Sequence, residues 1–365
     1  MIQAKQSLDA VAPYAPGRPV SEIKRRFGLS HVVKLASNEN PLGASPLAKE
    51  AVRQCAESIF MYPDPTAYNL RTALAERFSL TPESFIFGTG SDGLIELVCK
   101  TFLAEGDEAI MPDPSFSLYE LNVRAAGATP VKSPLDENLQ YNPCDMLRLI
   151  TPKTKVIFLC NPNNPTGGIF TQAQQSAFLQ ALPKHILVVL DEAYHEYACD
   201  LADYPDSLSA LKTHDNVLIL RTFSKIYALA GLRVGYGMAA PNVIGLMEKV
   251  RAPFNVSLPA QVAAIASLDD REFVSRSLAE NRANKAYMEK ALTNMGLSFV
   301  PSATNFIAVN VQKDAKTVYE ALLARGYIVK GGHVLDMPGY LRVTIGTKEE
   351  CEGFINALAA VLSHL

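Results

Sequence analysis

The chain predicts an α/β protein: a mostly parallel central sheet sandwiched by helices, followed by a smaller α+β domain. Three observations predict it. Between about Phe85 and Met238, seven short apolar runs (FIF, EAIM, TPVK, KVIFLC, ILVVL, NVLIL and VGYGMA) alternate with helical stretches. Several of these runs are continuous rather than alternating, the pattern of strands buried on both faces. The 365 residues also exceed the size at which a single core stops growing, so two domains are expected.

Taken in order, residues 1–40 hold three prolines in APYAPGRP and the extended stretch VVKLASNENPLG. They read as an N-terminal arm and interdomain segment. Residues 41–255 carry the alternating strands and helices and form the large domain; in such a sheet, functional groups gather at the carboxyl ends of the strands. After Asn255 a helical region runs to about Met295. It is followed by the alternating run NFIAVNV, a helix near VYEALLARG, then IVK, LRVTIG and a closing helix from Lys348. Residues 256–365 are therefore the small domain.

Composition narrows the partners. Hydrophobic residues make up 48% and charged residues 19%, ample for a core, and the formal net charge of -3 gives no basic footprint for nucleic acid or a membrane surface. Small molecules and other subunits remain. Cys55, Cys99, Cys144, Cys160, Cys199 and Cys351 are scattered, without C-x-x-C or zinc spacing, and read as reduced core thiols with no metal site. The N-terminus lacks the apolar run of a signal peptide and no eighteen apolar residues follow one another, so a cytoplasmic enzyme is expected.

GTGSDG, from Gly88 to Gly93, follows FIF and opens a helical pattern, and Asp113 stands 20 residues further on at the end of another run. This matches a dinucleotide-binding fingerprint, which would make the chain a nicotinamide dehydrogenase. A less demanding reading is a phosphate cradle. A helix N-terminus offers unpaired N–H groups and a positive dipole end, with Gly90, Ser91 and Asp92 as donors or caps.

Other strand ends bring further chemistry. ILVVL leads into DEAY, so Asp191 and Tyr194 leave the sheet together; NVLIL leads into RTFSK, delivering Thr222 and Lys225; KVIFLC leads into NPNNPTG, which contains Asn164. Singly, each fits a helix cap, a turn or a surface lysine. Together they put a phosphate cradle, an acid, a phenol, an amide and an amine around one crevice.

LASNENPLG, YPDP, PSFSLY, NPNNPTG, DEAY, SKIYALAGLRVGY and LRVTIGT, in that order and spanning residues 35 to 347, resemble the fold-type I (class II) pyridoxal-phosphate aminotransferases, and especially the histidinol-phosphate aminotransferase branch. The resemblance implies that Lys225 bonds the aldehyde of pyridoxal 5'-phosphate and acts as general base, that Arg233 and Thr222 clamp its phosphate, and that Asp191 pairs with the pyridine nitrogen. It implies that Asn164 and Tyr194 bond the phenolic oxygen. Phe116 would stack on the ring, where tyrosine is common in this branch.

By the same resemblance, Tyr62 reaches the phosphate of a neighbouring subunit in a homodimer with shared sites. Arg342 binds the substrate α-carboxylate, and Tyr14 and Lys330 approach the substrate phosphate. At Lys330 the branch usually has arginine, and lysine keeps the charge without the bidentate grip. The implied reaction is transamination between histidinol phosphate and 2-oxoglutarate, giving imidazole acetol phosphate and glutamate in histidine biosynthesis. Aromatic amino-acid aminotransferases and a phosphothreonine decarboxylase share most of the motifs. A non-catalytic regulator on this scaffold would add a DNA-binding segment, and no helix-turn-helix pattern begins the chain.

Overall fold

The computed structural model describes residues 2, 5–11 and 17–365. In chain order its strands are β1 (Val33–Lys34), β2 (Phe85–Gly88), β3 (Glu108–Asp113), β4 (Thr129–Pro134), β5 (Thr154–Cys160), β6 (Leu187–Asp191), β7 (Val217–Thr222), β8 (Gly235–Ala239), β9 (Phe299–Val300), β10 (Phe306–Asn310), β11 (Tyr327–Ile328), β12 (Lys330–Gly331) and β13 (Tyr340–Thr344). The seven apolar runs all become strands of one sheet, ordered β2-β8-β7-β6-β5-β3-β4. Its pairs are parallel from β7 to β4, as expected, whereas β8 runs antiparallel to both β7 and β2.

Alternate residues of the central strands enter two separate cores. Ile157, Leu159, Val188, Leu190 and Ile219 pack into one cluster, and Val156, Phe158, Val189, Leu218 and Leu220 into the other. Helices cover both faces, which is why these strands read as continuous apolar runs. Gly235 at the start of β8 has a steric role: a Cβ there would lie 2.6 Å from the Gly90 carbonyl carbon and 2.7 Å from the Ser91 nitrogen. Gly235→Ala is therefore expected to destabilise the protein by about 1–3 kcal/mol, the usual cost of overpacking, read as a lowered denaturation midpoint.

The C-terminal part forms a second sheet, β12-β13-β10-β9, all antiparallel. Its inner face (Ile307, Val309, Leu341, Val343) packs with Met288 and Leu292 of the helix Arg271–Asn294 and with Phe354 and Leu358 of the helix Lys348–Leu362. The last helix starts with a capping box between Thr347 and Glu350.

Two details differ from expectation. The helical region after Asn255 is two helices, broken at Asp270, whose carboxylate accepts from the Phe273 N–H and caps the second. The run IVK is divided: β11 pairs with β1 in parallel, while Lys330 begins β12. The N-terminal segment thus joins the C-terminal part through β1, and through Ile23 of the helix Val20–Phe27, which is buried against Leu323 and Ile328.

Cys199 also departs from the expectation of core thiols. It is exposed on the turn after the short helix His195–Ala198, and Cys144 is half-buried; the other four cysteines are buried. Among the described residues, no helix is long and apolar enough to cross a membrane.

Candidate active site

A cavity of about 510 Å³ opens at the carboxyl ends of β5 and β7 and is closed on its other side by β12 and β13. One wall is the start of the helix Gly90–Phe102. Its N-cap, Thr89, makes no side-chain capping bond, and Ser91 and Asp92 line the cavity. Thr222 and Ser224 face it from the end of β7, their hydroxyls bonded at 3.0 Å, with the Ser224 N–H donating to Thr222 Oγ1 at 3.1 Å.

Arg233 completes this wall. Its Nη1 donates to Ser224 Oγ at 3.3 Å, and its Nη2 to the Thr89 carbonyl at 3.2 Å and to Asp92 Oδ2 at 2.9 Å. Gly90 has φ +81°, and a Cβ on it would sit 2.6 Å from Arg233 Nη2. Glycine is required here both by backbone conformation and by the approach of the guanidinium. Hydroxyls, free helix N–H groups and an arginine fork gathered in this way suit a phosphate monoester.

Lys225 lies deeper, its Nζ donating to the Ser37 carbonyl at 3.3 Å and standing 5.5 Å from the centre of the Tyr194 ring. Burial, and then the nearby Arg342 guanidinium, push its pKa down to about 8. The Tyr194 hydroxyl accepts from Asn38 Nδ2 at 2.7 Å, and burial pushes its pKa up. Phe116 lines the cavity edge-on to Tyr119, with ring centres 5.7 Å apart.

Asp191, only 2% exposed, ends β6 between Cys160 and Leu220 and does not itself line the cavity. Burial raises its pKa to about 6, against hydrogen bonds from the Tyr119 hydroxyl at 2.6 Å and the Ala193 N–H at 3.2 Å. Among the described residues, neither of these partners is a cation. A buried carboxylate in this state suits a ligand that brings a positive charge.

The small sheet contributes two cations. Arg342 on β13, 7% exposed, donates to Asn164 Oδ1 and to the Ala36 carbonyl, each at 2.6 Å. Lys330 is its cross-strand partner on β12, and burial followed by Arg342 lowers the lysine's pKa. Both line the cavity with Asn164, so an anion entering between the sheets meets two positive groups.

Two predicted residues lie elsewhere. Tyr62 is 83% exposed, stacked on Phe254 at 4.6 Å, and is not part of this chain's own cavity. Tyr14 lies outside the described residues. The dinucleotide reading of GTGSDG fails on topology: among the described residues β2 pairs only with the antiparallel β8, and no adjacent parallel strand completes the βαβ unit. Asp113 is moreover ion-paired with Lys132 at 3.4 Å.

The family model of aminotransferase class I and II matches residues 30–358. The chain belongs to this family. The aminotransferase is 44% identical to the histidinol-phosphate aminotransferase of Moorella thermoacetica, over 99% of this chain and 93% of that one. It is 42% identical to that of Bacillus subtilis, over 99% and 100%. Among solved structures, that of histidinol-phosphate aminotransferase from Sinorhizobium meliloti in complex with pyridoxal-5'-phosphate aligns with a TM-score of 0.90 at 27% identity, covering 100% of this chain and 98% of that one. Thermus thermophilus aspartate aminotransferase with maleate aligns with a TM-score of 0.85 at 25% identity, over 99% and 100%.

Several residues of this aminotransferase site escaped sequence reasoning. Ser224 stands beside Lys225 in TFSK, where hydroxyls two residues apart at a strand end were the available signal. Ser37 and Asn38 lie within LASNENPLG, and Tyr119 closes PSFSLY. These motifs were visible, but nothing in a linear pattern tells that the Ser37 carbonyl turns toward Lys225, the Asn38 amide toward Tyr194 and the Tyr119 hydroxyl toward Asp191.

Proposed function

We propose that this aminotransferase moves an amino group between histidinol phosphate and 2-oxoglutarate, yielding imidazole acetol phosphate and glutamate in histidine biosynthesis, with pyridoxal 5'-phosphate as cofactor. One observation carries the reading: a lysine of lowered pKa, a phosphate-compatible helix start and two anion-binding side chains share a single cavity. The full-length similarity to proteins named histidinol-phosphate aminotransferase selects the substrate.

When bound, the cofactor supplies an aldehyde that takes up the amine and a ring that accepts electrons from the substrate carbon. The chain's own residues have distinct tasks. Ser91, the Asp92 N–H, Thr222, Ser224 and Arg233 would hold the phosphate, and Gly90 leaves room for the guanidinium that the Asp92 carboxylate pairs with. Asp191 holds a proton on the ring nitrogen, Asn164 and Tyr194 orient the phenolic oxygen, and Phe116 packs on the ring face. Lys225 Nζ would hold the cofactor's aldehyde carbon and serve as the base that takes the substrate Cα proton and as the acid that gives it back.

Arg342 takes the α-carboxylate of glutamate, and Lys330 the substrate phosphate. Lys330→Ala removes a charge-assisted hydrogen bond worth about 1.5–3 kcal/mol. The KM for histidinol phosphate is expected to rise roughly 10- to 100-fold, while the glutamate half-reaction stays within about twofold. An equal loss in both half-reactions would refute this role.

The homodimer belongs to the same proposal. Ile59, Phe60, Met61 and Tyr62 are exposed in succession, an apolar patch that calls for a covering surface. A second copy would bring Tyr62 to the phosphate end of its neighbour's cavity. A sedimentation mass equal to one chain would remove this element.

The whole proposal is tested by loading the purified protein with pyridoxal 5'-phosphate and comparing glutamate formation from 2-oxoglutarate with histidinol phosphate or phenylalanine as donor. Faster turnover of histidinol phosphate is expected. Preference for phenylalanine would reassign the substrate.

A further inference from the structure

Asp191 and Phe116 belong to different elements, one at the end of β6 and the other in the turn after β3, yet a single side chain touches both. Tyr119, in the first turn of the helix Leu118–Ala126, is fully buried. Its hydroxyl donates to Asp191 Oδ2 at 2.6 Å. Its ring stands edge-on to Phe116, and its N–H donates to the Phe116 carbonyl at 3.0 Å. Beneath it, Phe158 of β5 stacks nearly parallel, at 4.8 Å between centres and 13° between planes.

We propose that Tyr119 is a positioning residue for the cofactor ring, fixing the Asp191 carboxylate and the Phe116 side chain relative to one another and keeping Asp191 the anionic partner of the ring nitrogen. This rests on the cofactor reading above.

The hydroxyl has one proton, and it donates that proton in a hydrogen bond to the Asp191 carboxylate. Burial favours the protonated form of that acid, and hydrogen-bond donation favours the charged form. Tyr119 is itself pushed well above the usual tyrosine range, first by burial and then by Asp191, so it stays a donor. Without the hydroxyl, Asp191 keeps, among the described residues, the longer Ala193 N–H bond. A proton shared between ring nitrogen and carboxylate then moves toward the carboxylate, and the ring becomes a weaker electron acceptor. The Phe158 stack holds the donor at a fixed height, which a mobile water could not do.

Tyr119→Phe separates the hydroxyl from the packing, since the ring and its stack on Phe158 are retained. Wild-type and variant proteins, freed of cofactor, are titrated with pyridoxal 5'-phosphate labelled with ¹⁵N in the ring. The variant is expected to bind about tenfold more weakly and to show its ring nitrogen signal displaced toward the neutral form, while the melting temperature of the cofactor-free protein stays close to wild type. Phe158→Leu, which loosens the seat but keeps the hydroxyl, should lower the melting temperature and displace the nitrogen signal less than Tyr119→Phe does.

If Tyr119→Phe binds with wild-type affinity and an unshifted signal, or if Phe158→Leu shifts the signal equally, the proposal is overturned. Should Tyr119→Phe fail to fold, 3-fluorotyrosine at position 119, a stronger donor of nearly the same shape, must move the signal toward the protonated form; no movement overturns the proposal. A wild-type protein that takes up no cofactor overturns the cofactor reading and this inference together, whereas normal uptake with an unaffected variant overturns this inference alone.

Discussion

Replacing Lys225 with alanine is expected to lower transamination by at least 10²- to 10⁴-fold, the span that a positioned general base supplies; loss of the covalent attachment adds to this. The size follows from the surroundings of the amine. An ordinary lysine at neutral pH is almost wholly protonated and can neither attack an aldehyde nor accept a proton. Burial and Arg342 bring Lys225 down to about 8, so roughly a tenth of the molecules carry a free amine at pH 7 and about half at pH 8. The uptake of pyridoxal phosphate by the cofactor-free protein should therefore rise across this pH range in wild type and lose that dependence in Lys225→Ala. Single-turnover rates and the visible spectrum read both effects. A variant that transaminates at a comparable rate would end the assignment of Lys225.

Asp191→Ala has the second largest expected effect. Removing one partner of a buried charge pair costs about 3–5 kcal/mol, so cofactor affinity should fall roughly 10²- to 10⁴-fold and turnover with it. The fold should survive. In the cofactor-free protein Asp191 is a buried acid whose pKa is raised from 3.8 to about 6. Between those values the folded state binds more protons than the unfolded one, and this group's contribution to stability falls as pH rises. At neutral pH its removal should leave the melting temperature unchanged or higher. Weak binding by a well-folded variant is the expected outcome, and retention of cofactor and rate at wild-type levels would refute the role.

The sheet was legible because both of its faces are buried. Runs such as ILVVL and KVIFLC have no polar side to present, and each became a strand at the expected place. The reversed direction of β8 was not legible, since VGYGMA has the same composition whichever way it runs; the connection before it folds into a short turn, Ala230–Leu232, instead of a crossover helix. The division of IVK was equally hidden, because Lys330 joins β13 while Ile328 bonds to a strand at the other end of the chain.

Among the site residues, those that leave strand ends were readable from their neighbours, as Asp191 after ILVVL and Thr222 after NVLIL. The burial of Tyr119 against Asp191 was not, because it depends on how the helix Leu118–Ala126 lies across the sheet. Tyr62 had a readable motif, but its position on the exposed surface depends on folding in space.

Val33 and Lys34 pair in parallel with Tyr327 and Ile328, almost three hundred residues further along the chain. Pairings of such high sequence separation form late and slow the completion of folding. Until β11 is in place the neighbouring segment with Ser37 and Asn38, whose groups contact Lys225 and Tyr194, lacks this pairing. Truncation at either end would leave the other without its strand.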